Sequence, residues 1–391
     1  MSNAAASRLL LGAYSEPAAI EAARGALEEI GGHVSCAFVF VSADYRAHLA
    51  DFLELLQVHA HVPILVGCSG SGLIGTGTEA EMASGFALLC LHLPETRLHA
   101  FHFSPEDVRN FGDGDGWRAA TGVAADEIET WITLANPVGV PVEPWMNAWN
   151  AAFPGVPSLG GLGSGGPQGE EIFCFHDREL IEGGVALGFS GGVRVETLVS
   201  QGCRPIGEPL TVTGANENFV LTLGSRPAYK VLVEIVESLP PSLRERASGN
   251  LFAGLAVSEY VDEFKTGDFL VRNLLGADPD AGAVAIGAHP RVGQTLQFQI
   301  RDFVSADEEL VHLTAAAAER GVRPFASLVF ACNGRGRHLF GEPGHDARRL
   351  EQCFGPRPSA GFFCNGEIGP VGGRNFIHGY TASIALFADK V

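Results

Sequence analysis

The sequence predicts an α/β (or α+β) protein: a two-domain, mixed-sheet architecture built from repeated strand-helix-strand-strand units. Three observations carry this. The order apolar strand, amphipathic helix, glycine-rich strand end and final apolar strand occurs three times along the chain. The predicted strands are rich in Val, Leu and Phe on both parities, as in sheets covered on both faces. Between the second and third units lies a segment of different character, where strand-like alternation dominates.

Residues 1–29 read as an N-terminal lead and first helix, with Met1–Ala6 taken as disordered. In the first unit, Cys36–Ser42 leads to a helix presenting Leu49, Phe52, Leu53 and Leu56 on one face. Pro63–Gly77 (PILVGCSGSGLIGTG) and Gly85–Leu93 follow. In the second, Thr130–Pro137 leads to the helix Pro144–Phe153, then Val156–Gly166 (VPSLGGLGSGG) and Gly183–Gly191. A turn-rich passage, Val212–Lys230, marks a domain junction near 225. Tyr229–Leu239 is helical by period, and Gly267–Phe303 alternates as strands do. Ser305-Ala306-Asp307-Glu308 has capping-box spacing and predicts a helix start. The third unit comprises Ser327–Arg337, the helix His345–Phe354, Pro358–Pro370 and Gly379–Phe387.

Composition narrows the function. The formal net charge is -19, and no basic stripe is visible, which argues against nucleic acid as a partner. The 391 residues include 50 glycines without a collagen period, a composition of tight turns and close backbone approaches. Eight cysteines, mostly in apolar runs, read as free thiols of a reducing compartment, with no CxxC or Cys/His zinc spacing. No apolar run approaches the ~20 residues of a membrane span. The expectation is a cytoplasmic protein without membrane insertion.

The third unit carries the most chemistry. Ala331–Arg337 (ACNGRGR) ends a strand with Cys332, Asn333, Arg335 and Arg337. Gly361–Gly369 (GFFCNGEIG) supplies Phe362, Phe363, Cys364, Asn365 and Glu367, and His378 stands before the last strand. If these strands are neighbours, Arg335, Asn365, Glu367 and His378 line one pocket. The simpler alternatives are packed thiols, a salt-bridged Glu367, a hydrogen-bonded His378 and an Asn365-Gly366 turn. Arginines 335, 337, 348, 349, 357 and 374 leave a local anion site open. In the first unit, Gly67, Cys68 and Ser69 belong to a glycine-rich edge that is neither a P-loop nor a dinucleotide fingerprint. The second unit's edge lacks thiol and charge. His59, His61, His92, His99 and His102 cluster in sequence and leave haem or metal ligation open as an alternative.

Several stretches together resemble the FIST family: VGCSGSGLI, ANENFVLTLGSRPAYKVL, GAVAIGAHPRVGQTLQFQIRD, ACNGRGRHLFG, SAGFFCNGEIGP and HGYTASIALF. The resemblance places a FIST N-terminal domain at 30–225 and a FIST C-terminal domain at 226–391. It implies a sensory module of signal transduction that binds a small ligand such as an amino acid. It also implies a separate signalling partner: a kinase, a cyclic-dinucleotide enzyme or a chemotaxis component. Some family members are haem proteins that sense nitric oxide, so haem is an alternative although no cofactor is required. The resemblance supplies no catalytic residues.

The expectation is therefore a binding protein and not an enzyme. Arg335 would hold an anionic group, Glu367 and Asn365 an amine or amide, and Phe362 or Phe363 an apolar wall. The rivals are a haem gas sensor, a thiol hydrolase or transferase using Cys364 or Cys332 with His378 as base, and an interaction scaffold.

Overall fold

The computed structural model describes residues 2–165, 172–261, 263–264 and 267–390; Met1 and Gly166, named above, lie outside them. The chain forms a mixed α/β structure with two compact units, 1–199 plus 311–391, and 200–310. This division does not follow chain order. The third repeat unit belongs to the same compact body as the first two, and the helix Phe303–Glu319 straddles the division.

In the larger unit, three six-stranded sheets share one order. Each holds an edge strand, the return strand, the first strand and the glycine strand of one repeat, followed by a hairpin from another. In the first sheet the own strands are Ala4–Leu11, Gly85–His92, Cys36–Val41 and Leu65–Ser69. In the second they are Thr96–Phe103, Gly184–Gly191, Thr130–Ala135 and Ser158–Leu162. In the third they are Val193–Ser200, Ala382–Asp389, Pro324–Cys332 and Ser359–Cys364.

The hairpins are exchanged cyclically. Gly72–Gly75 with Thr78–Glu81 leaves the first repeat for the third sheet. Cys174–His176 with Glu179–Ile181 leaves the second for the first sheet. Glu367–Val371 with Arg374–His378 leaves the third for the second. First and glycine strands run parallel in every sheet, so a crossover must join them. The helices Leu49–Ala60, Val142–Ala152 and His345–Phe354 supply it.

Strands covered on both faces explain the apolar runs of both parities. One face of all three sheets shares a core in which Phe40 stacks on Phe362 at 4.9 Å between ring centres. On the outer face of the first sheet lie Ala19, Ala22, Ala26, Phe52, Leu53 and Leu56. Four buried tryptophans, 117, 131, 145 and 149, pack the second.

The smaller unit is all-antiparallel where its strands pair. Leu251–Ala256 pairs back with Thr295–Arg301, closing six strands into a barrel. Val231 of the helix Ala228–Ser238 and Ala247 of Pro241–Ala247 lie in its core cluster.

Two local expectations are corrected. Ala4–Ala6 are not a disordered lead: they pair in register with Cys90–His92, and Ala6 is buried. The helix expected to start at Ser305 starts at Phe303. The Asp302 carboxylate accepts the Ser305 N–H at 2.8 Å, doing the work assigned to the serine.

Candidate functional site

The three glycine strands share a positional rule. Gly67, Gly160 and Gly361 occupy the same place, and a Cβ at each would overlap a carbonyl oxygen of the parallel neighbour: Val39, Thr133 and Val329 respectively. Counting four residues on from each reaches Ser71, Ser164 and Asn365, and these three meet.

The meeting point is a hydrogen-bonded seam. Ser164 N donates to Ser69 O at 3.0 Å, and the equivalent Asn365 N donates to Leu162 O at 3.1 Å. At the third junction the pattern breaks. Ser71 N donates to Ser164 Oγ at 2.8 Å, and that hydroxyl in turn donates to Phe363 O. The Ser164 hydroxyl thus bridges a junction that the other two close backbone to backbone.

A chain of side chains runs over the seam. Ser71 Oγ donates to Asn333 Oδ1 at 2.5 Å, and Asn333 Nδ2 donates to Asn365 Oδ1 at 2.9 Å. Asn365 Nδ2 then donates to Gly163 O at 3.2 Å. Asn333 and Asn365 are exposed, and Ser71 and Cys332 are half-buried. Each amide carries two N–H groups and spends one of them in this chain.

The other expected site residues lie beneath. Ser69 is buried, its hydroxyl donating to Ser164 O and accepting from Phe173 N. Cys68, Phe362 and Phe363 are core residues. Burial pushes the Cys68 thiol well above its usual value, with Cys174 adding to it. Burial does the same to Cys364, reinforced by Glu367, Cys68 and Cys332. Glu367 is fully buried and accepts the Thr381 N–H at 3.0 Å. His378, its register partner, holds the Gly369 carbonyl through Nε2 at 3.0 Å. The expected convergence of Arg335, Asn365, Glu367 and His378 on one open pocket is not what forms: only Asn365 reaches the surface.

Arg335 has a different employment. It is 0% exposed, and its Nε and Nη2 form a bidentate pair with Asp346 at 2.6 and 2.8 Å. His345 Nδ1 contacts the same carboxylate at 2.9 Å, and Phe340 stacks on His345. Burial alone would raise the Asp346 carboxyl, but Arg335 and His345 outweigh it and hold it well below the carboxylate range.

Opposite stands Glu79, brought by the exchanged hairpin. Its oxygens accept the Gly344 and Ala347 N–H groups at 3.1 and 2.9 Å, capping the helix His345–Phe354. Burial and the neighbouring Asp346 push Glu79 up to about 7, against the Ala347 N–H, Arg335 and His345. A carboxyl raised on folding stabilises the fold below its unfolded value and loses that contribution as pH rises through the folded one. Wild-type stability is therefore expected to fall between pH 4.5 and about 7 relative to Glu79→Gln. The shift amounts to something of the order of 3 kcal/mol. Urea midpoints of both proteins across this window check it; parallel curves would refute it.

Of the remaining arginines, Arg337 is exposed and the other four find local partners. Arg348 pairs with Glu342, and Arg349 with Gln352. Arg357 donates to Phe354 O, and Arg374 to Asn147. The histidines named for haem are dispersed. His61 ends a helix in the left-handed region, His99 Nε2 is held by Thr121 O at 2.9 Å, and His102 meets His176 at 3.1 Å. Among the described residues no group of three or more His, Cys, Asp or Glu is placed to hold a metal, and no helix is long and apolar enough to cross a membrane. A narrow cleft lined by Ser327, Ser359, Leu350, Glu351 and Phe354, with room for no more than about one water, lies beneath the helix His345–Phe354.

Ser71 and Ser164 were not singled out from sequence. The signal that finds them is the constant offset from Gly67, Gly160 and Gly361.

Three cyclically linked sheets with a polar platform at their junction, and a six-stranded barrel, define a mixed α/β protein. Residues 35–226 match the FIST N domain and residues 228–370 the FIST C domain, and the chain belongs to this family of sensory domains. It is 39% identical over 376 residues to the uncharacterized protein Rv0628c of Mycobacterium tuberculosis, covering 95% of this chain and 96% of that one. It is 38% identical over 386 residues to the uncharacterized protein Mb0898c of Mycobacterium bovis, covering 96% of each. Among solved structures, cyanuric acid hydrolase from A. caulinodans aligns over 100% of both chains with a TM-score of 0.36 and 9% identity. A likeness of that size carries no argument about activity.

Proposed function

We propose that this chain is a sensory protein that binds a small carboxylate-bearing ligand, an amino acid being the leading class, at the junction of the three glycine strands. The observation that carries the reading is the Ser71–Asn333–Asn365–Gly163 hydrogen-bond chain, which leaves one amide N–H on each exposed asparagine unspent. Two such donors side by side suit a carboxylate. The anion role first given to Arg335 passes to these amides, because Asp346 already engages the guanidinium. The Ser71 hydroxyl oxygen, one hydrogen bond along the same chain, offers an acceptor for a ligand amine.

The protein acts by binding and requires no cofactor. A thiol-dependent reaction through Cys364 and His378 is disfavoured by the complete burial of that thiol and by the Gly369 carbonyl on the imidazole. Output passes to a separate signalling protein in the cytoplasm: a kinase, a cyclic-dinucleotide enzyme or a chemotaxis component.

Native mass spectrometry of the purified protein tests this. A co-purifying mass in the amino-acid range, absent from an Asn333→Ala/Asn365→Ala variant, is the expected result. An equal complement of bound ligand in both proteins would overturn the assignment of the site.

A further inference from the structure

Four of the eight cysteines stand in a line beneath the platform. Cys174 and Cys68 are register partners on antiparallel strands, and Cys364 and Cys332 are register partners on parallel ones. Cys68 and Cys364 belong to one core cluster, and each lies close enough to influence its neighbours electrostatically. The inner three are fully buried, and only Cys332 reaches solvent. All are thiols.

The Cys332–Cys364 pair has features that packing alone does not demand. Registered neighbours on adjacent strands lie about 4.8 Å apart at Cα, inside the roughly 4.4–6.8 Å that a disulfide spans. Their side chains share a sheet face, and both residues end their strands, where the backbone has freedom to adjust. The Cys332 sulfur accepts the Tyr380 N–H at 3.0 Å and the Gly334 N–H at 3.4 Å. Negative charge on this sulfur would be hydrogen-bonded by the protein. Tyr380 sits in the left-handed region, with φ +64°.

We propose that Cys332 and Cys364 form a peroxide-oxidisable dithiol, with Cys332 the entry thiol and Cys364 the resolving one. The Cys332 thiolate attacks one oxygen of a hydroperoxide. An S–O bond forms, the O–O bond breaks, and hydroxide leaves to be protonated to water. The Cys364 sulfur then attacks the sulfenic sulfur. The S–S bond forms, the S–O bond breaks, and the departing hydroxide takes up the Cys364 proton. Two thiols are oxidised by two electrons, and one hydrogen peroxide becomes two waters.

The consequence for the platform follows from chain order. Asn333 succeeds Cys332 and Asn365 succeeds Cys364, so a disulfide would tie together the two strand ends that present the amides. Oxidation would then change the platform's donor spacing. The dithiol chemistry itself does not depend on any ligand, so its test stands apart from that of the binding site.

The experiment is peptide mapping under non-reducing conditions after brief treatment with hydrogen peroxide. Cys353, half-exposed on the helix His345–Phe354, serves as the internal comparator. The expected product is two hydrogen atoms lighter and carries a Cys332–Cys364 cross-link, formed at least ten times faster than Cys353 is oxidised. In Cys364→Ser, and in Cys364→Ala in case the serine perturbs folding, Cys332 should accumulate as a sulfenic acid trapped by a dimedone probe. In Cys332→Ser no cross-link to Cys364 should form. Oxidation of Cys353 before Cys332, or a Cys332 that reaches the sulfinic state in the wild type without cross-linking, would overturn the proposal.

Discussion

Replacing Asp346 with Ala is expected to destabilise the larger unit by about 3–5 kcal/mol, the cost of leaving a buried charge without its partner. The Arg335 guanidinium has no exposed surface and gives two of its N–H groups to this carboxylate. Glu79 lies close enough to be raised by Asp346, yet its oxygens are committed to the helix N-terminus. It cannot replace the bidentate geometry without uncapping the helix. Asp346→Asn keeps the shape and loses the charge, so an intermediate loss is expected. In the double variant Arg335→Met/Asp346→Leu both charges go together, and the loss should be smaller than in Asp346→Ala. The depressed Asp346 carboxyl contributes stability above about pH 4, the unfolded value, and loses it as pH falls. The gap between wild type and Asp346→Ala should therefore narrow in acid. Urea unfolding followed by far-UV circular dichroism reads all of these. A loss under about 1 kcal/mol for Asp346→Ala would mean that the cluster is solvated or rearranged.

The second large effect belongs to Gly361→Ala. The added methyl carbon would overlap the Val329 carbonyl oxygen and lie 2.8 Å from its carbon. Both are backbone atoms of a registered parallel strand, so no rotamer change relieves the clash. The strands must separate, breaking the ladder that carries Cys364 and Asn365. A destabilisation above about 3 kcal/mol is expected, at the upper end for overpacking. Gly379→Ala is the control: nothing lies within 4 Å of its Cβ position, and an effect within about 0.5 kcal/mol is expected. Thermal melts of the two variants against wild type decide it. Equal midpoints would show that the strands at Gly361 are further apart than described.

Much of the fold was legible because apolar periodicity reports burial directly. The helices Ala228–Ser238 and His345–Phe354 and the strand Thr295–Arg301 fall where their patterns place them. The hairpin exchange was not legible. Gly72–Gly75 and Glu367–Val371 are short strands whose alternation says that they pair but not with which sheet. The choice is made by tertiary packing, as where Gly161 lacks a side chain and the Cys364 sulfur takes its place. The same gap explains the site. Asn333 and Asn365 were legible as polar residues at strand ends, but Arg335 was read as free because its partner comes from a helix eleven residues on. Ser164 was passed over because a serine among glycines carries no chemical signal. Its role appears only when three strand ends from distant parts of the chain are brought together.

The most direct measurement is calorimetric titration of the ligand found by native mass spectrometry into wild type and into the Asn333→Ala and Asn365→Ala variants. Loss of one hydrogen bond to a charged group, about 1.5–3 kcal/mol, predicts an affinity at least tenfold weaker for each variant with the fold intact. Unchanged affinity in both would place the ligand elsewhere and contradict the account of the platform as the sensory site.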